Sequence, residues 1–345
     1  MELVIPFPDS RIHVHGLGWY AETRPFLWRF PQRFHSVLPE GLFEAGKQTA
    51  GVRLRFRTDS GHLSLRASFP SEPYPHPNMT RYTAQGIATY VGGQCWSSVI
   101  PSEGGKGEVE VVLFHRAPRR EKEVCLYLPL YGSIDIHELI LDADASLAPP
   151  RPYAHPLPVV FYGTSITQGG CASRPGLSYQ AMLSRQLNID YINMGFSGRG
   201  KCESQVALIL AELRTSCFVL DVGQNNTPEE LEQRIGPFID ILREAQPKTP
   251  LLITIPIFYN AELWSSEYAQ ESEKKREIIR DAVLQRKQAG DTRIFLLEKD
   301  HYLGEWFTDG SVDGGHPNDL GFFHMAKGMA SLLSQILDLP QKRSA

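Results

Sequence analysis

A serine, a histidine and an aspartate can together carry out acyl transfer, and the second half of this 345-residue chain sets one of each near glycines. Ser165 lies in Gly163-Thr-Ser-Ile-Thr-Gln-Gly-Gly170, where flanking glycines permit close backbone approach. The G-x-S-x-G elbow of α/β-hydrolases does not fit, because Thr167 occupies the last position, and no G-x-x-x-x-G-K-[ST] phosphate loop occurs. Asn193-Met-Gly-Phe-Ser-Gly-Arg-Gly200 offers backbone N–H groups around Gly198, and Gly223-Gln-Asn-Asn226 offers the side-chain amide of Asn225. Val312-Asp-Gly-Gly-His-Pro317 separates Asp313 from His316 by three positions, a spacing at which a tight turn points carboxylate and imidazole to one side. Alone, each block also reads as an ordinary turn. Together they fill the roles of an acyl-transfer site: Ser165 as nucleophile, His316 as general base, Asp313 as its orienting carboxylate. The N–H groups of Ser165 and Gly198 and the Asn225 amide would form the oxyanion hole. Asp319 is the nearest alternative carboxylate.

These residues share a site only if the elements around them bring the loops together. From Val159 onward short apolar runs alternate with helical periods. Strands are expected over Val159–Tyr162, Ile189–Met194, Cys217–Val222, Leu251–Ile257 and Ile294–Leu297. Helices are expected over Val206–Leu213, from a capping box at Thr227-Pro-Glu-Glu230, from Glu271 to Gly290 and over Leu320–Leu337. Such alternation implies a parallel sheet covered by helices, with the working loops beyond the strands' carboxyl ends. The first 150 residues read as all-β. Val52-Arg-Leu-Arg-Phe-Arg57 and Leu63-Ser-Leu-Arg-Ala-Ser-Phe69 alternate apolar and polar residues about the turn Thr58–Gly61, the pattern of a hairpin of half-buried strands. No helical period precedes residue 150, and further short strands suggest a sandwich or jelly roll. A proline-rich linker, Ala148–Pro158, divides a β domain at 1–150 from an α/β domain at 151–345.

With its four blocks in order, the second half resembles the SGNH (GDSL-like) hydrolases, matching at Ser165, Gly198, Asn225 and the pair Asp313 and His316. Thr164 stands where the GDSL motif has Asp, and Asn226 where G-x-N-D has Asp. The resemblance implies a five-stranded parallel, flavodoxin-like sheet between helices, and no metal or organic cofactor. Gly86-Ile-Ala-Thr-Tyr90 and Leu126-Tyr-Leu-Pro-Leu-Tyr131 resemble the β-sandwich that precedes this domain in a subset of the family. Relatives of that subset include carbohydrate esterases, so the resemblance implies a serine esterase acting on short-chain O-acyl, chiefly O-acetyl, esters of a small molecule or oligosaccharide. An acyltransferase with the same triad and an alcohol acceptor is the alternative, and a carbohydrate-binding protein with a degenerate catalytic domain is a further one.

Composition narrows the remaining classes. The chain is 42% hydrophobic and 21% charged, which excludes a disordered protein. Lys and Arg number 35 against 39 Asp and Glu, a net charge of -4 without a basic stripe, so nucleic acid is not an expected partner. No run approaches the ~20 apolar residues of a membrane span, and no signal-peptide core is readable, so a cytoplasmic location is expected. The five cysteines lack C-x-x-C spacing and are expected as free thiols. His13 and His15 share a strand face with no third ligand nearby, so no metal site is read there. Tyr162, Phe258, Tyr259 and Trp306 could form a sugar platform or belong to the core; the oligomeric state is not readable.

Overall fold

The computed structural model describes residues 2–70, 76–101, 107–298 and 308–339. The N-terminal strands form two antiparallel sheets. One runs in the order β1 (Glu2–Pro6), β9 (Asp135–Asp142), β4 (Leu63–Ser68), β7 (Glu108–Phe114). The other runs β10 (Leu147–Ala148), β3 (Arg53–Thr58), β8 (Lys122–Tyr127), β5 (Ile87–Val91), β6 (Gln94–Val99), with β2 (His13–His15) also on β3. Leu63, Leu65, Leu139 and Leu141 of the first sheet meet Leu54, Phe56, Val124 and Leu126 of the second in one core, which makes the pair a sandwich.

The expected hairpin over 52–69 does not form. β3 pairs with β2, β8 and β10, whereas β4 pairs with β7 and β9, so Thr58–Gly61 carries the chain from one sheet to the other. Nor is the cationic face of β3 a solvent face: Arg53 is 0% exposed and Arg55 7%. That face lies against the second domain, where Arg53 pairs with Asp190 and sits over the Tyr191 ring. Alternation reports two chemically different faces, and here both are covered.

Three short helices, α1 (Tyr20–Thr23), α2 (Leu42–Ala45) and α3 (Arg81–Gln85), also interrupt the first half, contrary to expectation. Each is about one turn, too short to impose a period on the sequence. Trp19, Phe30, Phe34, Leu42 and Phe43, from the same region, pack into the core of the second domain.

That second domain is a five-stranded parallel sheet, ordered β12 (Tyr191–Gly195), β11 (Val159–Gly163), β13 (Cys217–Asp221), β14 (Leu251–Thr254), β15 (Ile294–Leu297). Every residue of β11, β12 and β13 is buried, as befits strands covered on both faces. Val160, Ile192 and Leu220 face α6 (Ser204–Ala211), α7 (Pro228–Ala245) and α8 (Ser266–Gln288). Phe161, Tyr191 and Val219 face α5 (Tyr179–Leu187) and α9 (Asp319–Ile336). The capping box at Thr227 is formed in both directions. β14 stops at Thr254, short of the expected Ile257, just ahead of the break imposed by Pro256. All five cysteines are unpaired, and among the described residues no helix is long and apolar enough to cross a membrane.

Candidate functional site

At the carboxyl end of β11 the chain turns directly into a four-residue helix, α4 (Ser165–Gln168). Thr164 caps it, its hydroxyl accepting from the Ile166 N–H at 3.3 Å, so the position where the family motif has Asp does local capping work. Ser165 thereby opens the helix at the carboxyl end of an interior strand, only 8% exposed. The Asn193 amide and the Gln180 amide both donate to the Thr167 carbonyl, at 2.7 and 2.6 Å. The Thr167 hydroxyl donates to Asp221 at 3.0 Å; burial pushes that carboxyl's pKa up, against the hydrogen bonds from Gln224, Thr167 and Thr254. The N-terminal domain holds the same helix: the Gln168 amide donates to the Leu130 carbonyl at 3.0 Å, and the Tyr131 hydroxyl to the Ser165 carbonyl at 3.2 Å.

Asp313 and His316 arrive from a turn between β15 and α9. The Asp313 Oδ1 accepts from the backbone N–H of Gly315 and His316, at 3.1 and 2.8 Å, closing the turn on itself. Oδ2 then faces the ring, 2.9 Å from His316 Nδ1. Gly314 has φ +86°, a conformation this turn requires and side chains rarely adopt. His316 Nε2 lies 3.0 Å from Ser165 Oγ. Hydroxyl, imidazole and carboxylate thus form one continuous chain of hydrogen bonds across two loops far apart in sequence. Asp319 does not compete, since both its oxygens take the Ser173 N–H and hydroxyl, at 2.7 and 2.6 Å.

A fourth donor reaches Asp313 from the N-terminal domain. The Asn78 amide binds Oδ2 at 2.8 Å. Burial raises the Asp313 pKa, but the His316 N–H, the Asn78 amide and the His316 ring outweigh it, holding the carboxyl well below the usual range. Asn78 escaped the sequence reading because nothing in a proline-rich stretch of an all-β half marks a residue that crosses to another domain's loop.

The second block packs on the first, and the third is tied to the second. Gly200, at φ +76°, packs so close that a Cβ would sit 2.5 Å from the Gly163 carbonyl carbon, and Phe196 N–H donates to the Gly163 oxygen at 3.1 Å. Asn225 donates to the Arg199 carbonyl at 2.7 Å, which ties the third loop to the second and leaves its other amide hydrogen without that bond. Gly198, at φ +67°, is exposed, with nothing within 4 Å of where a Cβ would stand. Asn226, in place of the motif's Asp, is buried, with Arg234 3.5 Å from its side-chain oxygen.

A cleft of about 570 Å³ opens beside His316 and Asn225. Tyr259 lines it, packed on Gly315, and so do Trp264 and Tyr268, 87% and 51% exposed. Those last two rings were not singled out in the sequence, where they precede the charged helical stretch read from Glu271. Tyr162 is core instead, stacked on Phe238 with its hydroxyl on Glu203. Phe258 is half-buried; Trp306 lies outside the described residues. His15 is directed to Asp190 at 2.8 Å.

Residues 157–334 match the family model described as GDSL-like lipase/acylhydrolase, and residues 6–147 match the N-terminus of SGNH-hydrolase-type esterases. A structure from Bacteroides ovatus described as a GDSL-like lipase is 30% identical over 99% of this chain and 100% of its own, with a TM-score of 0.89. The chain belongs to the GDSL-like lipase/acylhydrolase family. Two more distant structures share the fold. The salicylyl-acyltransferase SsfX3 of a tetracycline biosynthetic pathway is 22% identical over 97% of this chain and 99% of its own, with a TM-score of 0.82. An acetyl xylan esterase from Butyrivibrio proteoclasticus is 13% identical over 98% and 99%, with a TM-score of 0.63. Among proteins with curated descriptions, none matches the chain.

Proposed function

We propose that this GDSL-family protein is a serine esterase that removes short acyl groups, chiefly acetyl, from carbohydrate hydroxyls. What carries the reading is the 3.0 Å contact of Ser165 Oγ with His316 Nε2, on a ring that Asp313 holds at 2.9 Å. Ser165 attacks the ester carbonyl as His316 Nε2 takes its proton. The Ser165 and Gly198 N–H groups and the Asn225 amide stabilise the oxyanion. His316 returns the proton to the leaving alcohol, and water repeats the sequence on the acyl-enzyme, freeing the acid and Ser165. Asp313 keeps its charge throughout, holding the tautomer that presents Nε2 as acceptor. Trp264 and Tyr268 at the cleft supply ring surfaces suited to a sugar.

Acyl transfer to an alcohol is the second reading, favoured by the likeness to a salicylyl-acyltransferase. The His316 and Asp313 side chains, 34% and 36% exposed, admit water and favour hydrolysis. The test is p-nitrophenyl acetate turnover with and without alcohol acceptors, in wild type and in Ser165→Ala. The serine variant should melt as wild type and lose all turnover; retention of a tenth of the rate would refute the nucleophile. Acceleration by an alcohol, with acyl product in place of acetate, would select the second reading.

A further inference from the structure

We propose that Asp221 is a positioning residue for the esterase site, a buried carboxylate that locks the helix carrying Ser165 to the loop carrying Asn225. The proposal rests on the reading of Ser165 as nucleophile and of Asn225 as an oxyanion donor. Asp221 ends β13, the central strand of the parallel sheet, in register with Gly163 at the end of β11. Its Oδ2 accepts from the Thr167 hydroxyl at 3.0 Å. Its Oδ1 accepts from the Gln224 amide at 3.0 Å and from the Thr254 hydroxyl at 3.2 Å. Thr167 stands two residues after Ser165 in α4, Gln224 immediately precedes Asn225, and Thr254 ends the neighbouring strand β14. One side chain therefore holds both segments that supply the Ser165 N–H and the Asn225 amide, and fastens them to the sheet. Gly163 opens the way between them, since a Cβ there would collide with the Thr167 hydroxyl and the Asp221 carbonyl.

A carboxylate at this position needs a cause. The other residues of β13, Cys217, Phe218, Val219 and Leu220, are apolar, and the strand is buried throughout. Asp221 is 2% exposed, and no other acid among the described residues is so completely buried. No Lys, Arg or His among those residues pairs with it; two hydroxyls and an amide meet it instead. Burying a carboxylate without a cation is unfavourable, and an apolar residue would serve the sheet better. An apolar residue, however, accepts no hydrogen bond, and an amide turns two hydrogens toward one of its sides. Only a carboxylate presents two acceptor oxygens to three donors at once. The need lies in α4, a single turn with little stability of its own. An oxyanion is stabilised only by donors already fixed in place, so α4 and the Asn225 loop must keep one separation.

The test is steady-state kinetics with p-nitrophenyl acetate, with thermal melting, on wild type, Asp221→Asn, Thr167→Val and the double variant. Asparagine keeps the shape but only one acceptor oxygen, so kcat should fall about tenfold, with KM within about twofold because Asp221 does not touch substrate. Thr167→Val should lower kcat in the same way. The double variant should fall about as far as Asp221→Asn alone, because the carboxylate acts on Ser165 through Thr167. A lower Tm with wild-type kcat in folded Asp221→Asn assigns the residue to the sheet and overturns the proposal. Losses that multiply in the double variant overturn it too. If Asp221→Asn does not fold, Thr167→Val decides, since valine keeps the shape and removes only the donor; wild-type kcat there overturns the proposal. Ser165→Ala separates this result from the reading beneath it. Undiminished turnover in that variant defeats the nucleophile assignment, whereas an inactive Ser165→Ala beside wild-type kcat in Asp221→Asn defeats the positioning role alone.

Discussion

Asn78→Ala isolates what the N-terminal domain does for the proposed triad. Asp313 accepts four hydrogen bonds, from the backbone of Gly315 and His316, the His316 ring and the Asn78 amide. The first two hold the turn and survive the substitution. The lost bond runs to a charged acceptor, worth about 1.5–3 kcal/mol where water is excluded. Asp313 is 36% exposed, so water replaces part of it, leaving about 1 kcal/mol. At 1.36 kcal/mol per factor of ten, kcat should fall about fivefold, with a ceiling near ~160-fold if no water enters. KM should hardly move, because the bond orients the base and does not touch substrate. Asn78→Asp separates positioning from mere packing. A second carboxylate against Oδ2 repels the first once both ionise, so the deficit relative to Asn78→Ala should deepen as pH rises. The assays are steady-state kinetics with p-nitrophenyl acetate over a pH series, with melting as the folding control. Wild-type kcat in Asn78→Ala would refute the reasoning, as would a Asn78→Asp deficit independent of pH.

Asn225→Ala should lower kcat by ~10²–10³-fold with KM little changed, the loss of one oxyanion donor, and lower stability by about 1 kcal/mol through the Arg199 tie; wild-type kcat in a destabilised variant would reduce Asn225 to a loop brace. Asp313→Asn should slow turnover, read as kcat with p-nitrophenyl acetate, because the imidazolium loses its partner. The depressed Asp313 carboxyl contributes stability that is full above its unfolded value of ~3.9 and drains away as pH falls toward the depressed folded value, so the melting difference between Asp313→Asn and wild type should begin to shrink below pH ~4 and keep shrinking with further acidification. Arg53→Met strips the buried partner from Asp190 and should cost about 3–5 kcal/mol, read by urea unfolding, with kcat unchanged in the folded fraction.

The α/β half was legible because its signals are local. A capping box at Thr227, strands buried on both faces and glycines in the turns after β11, β12 and β13 are written in contiguous residues, and the parallel order places their loops together. Pairing in the β half is not local. Val52–Arg57 and Leu63–Phe69 carry equally good alternation, and a short turn between two such runs reads as a hairpin. Whether the turn pairs its strands or passes between sheets depends on β8 and β9, which lie more than 50 residues further on. Arg53 and Arg55 misled for a related reason. A cation on a strand normally marks solvent, yet here the opposing domain supplies Asp190, the Tyr191 carbonyl and the Tyr153 ring to bury them.

At the site the same division holds. The meeting of Ser165 with the Asp313–His316 pair was legible only from the blocks taken together, since each alone also reads as an ordinary turn. Asn78 was not, since an amide acquires its meaning only from the carboxylate it meets, here 235 positions away. Its contact means that the β-sandwich is more than an appendage. Asn78 holds Asp313, Tyr131 holds the Ser165 carbonyl and the Leu130 carbonyl holds Gln168. Ser165 and Asp313 are therefore both braced from the first domain. Small displacements of Asn78, Leu130 or Tyr131 would lengthen the 3.0 Å contact between Ser165 and His316, so these loops of the first domain set that geometry as directly as the loops that carry it.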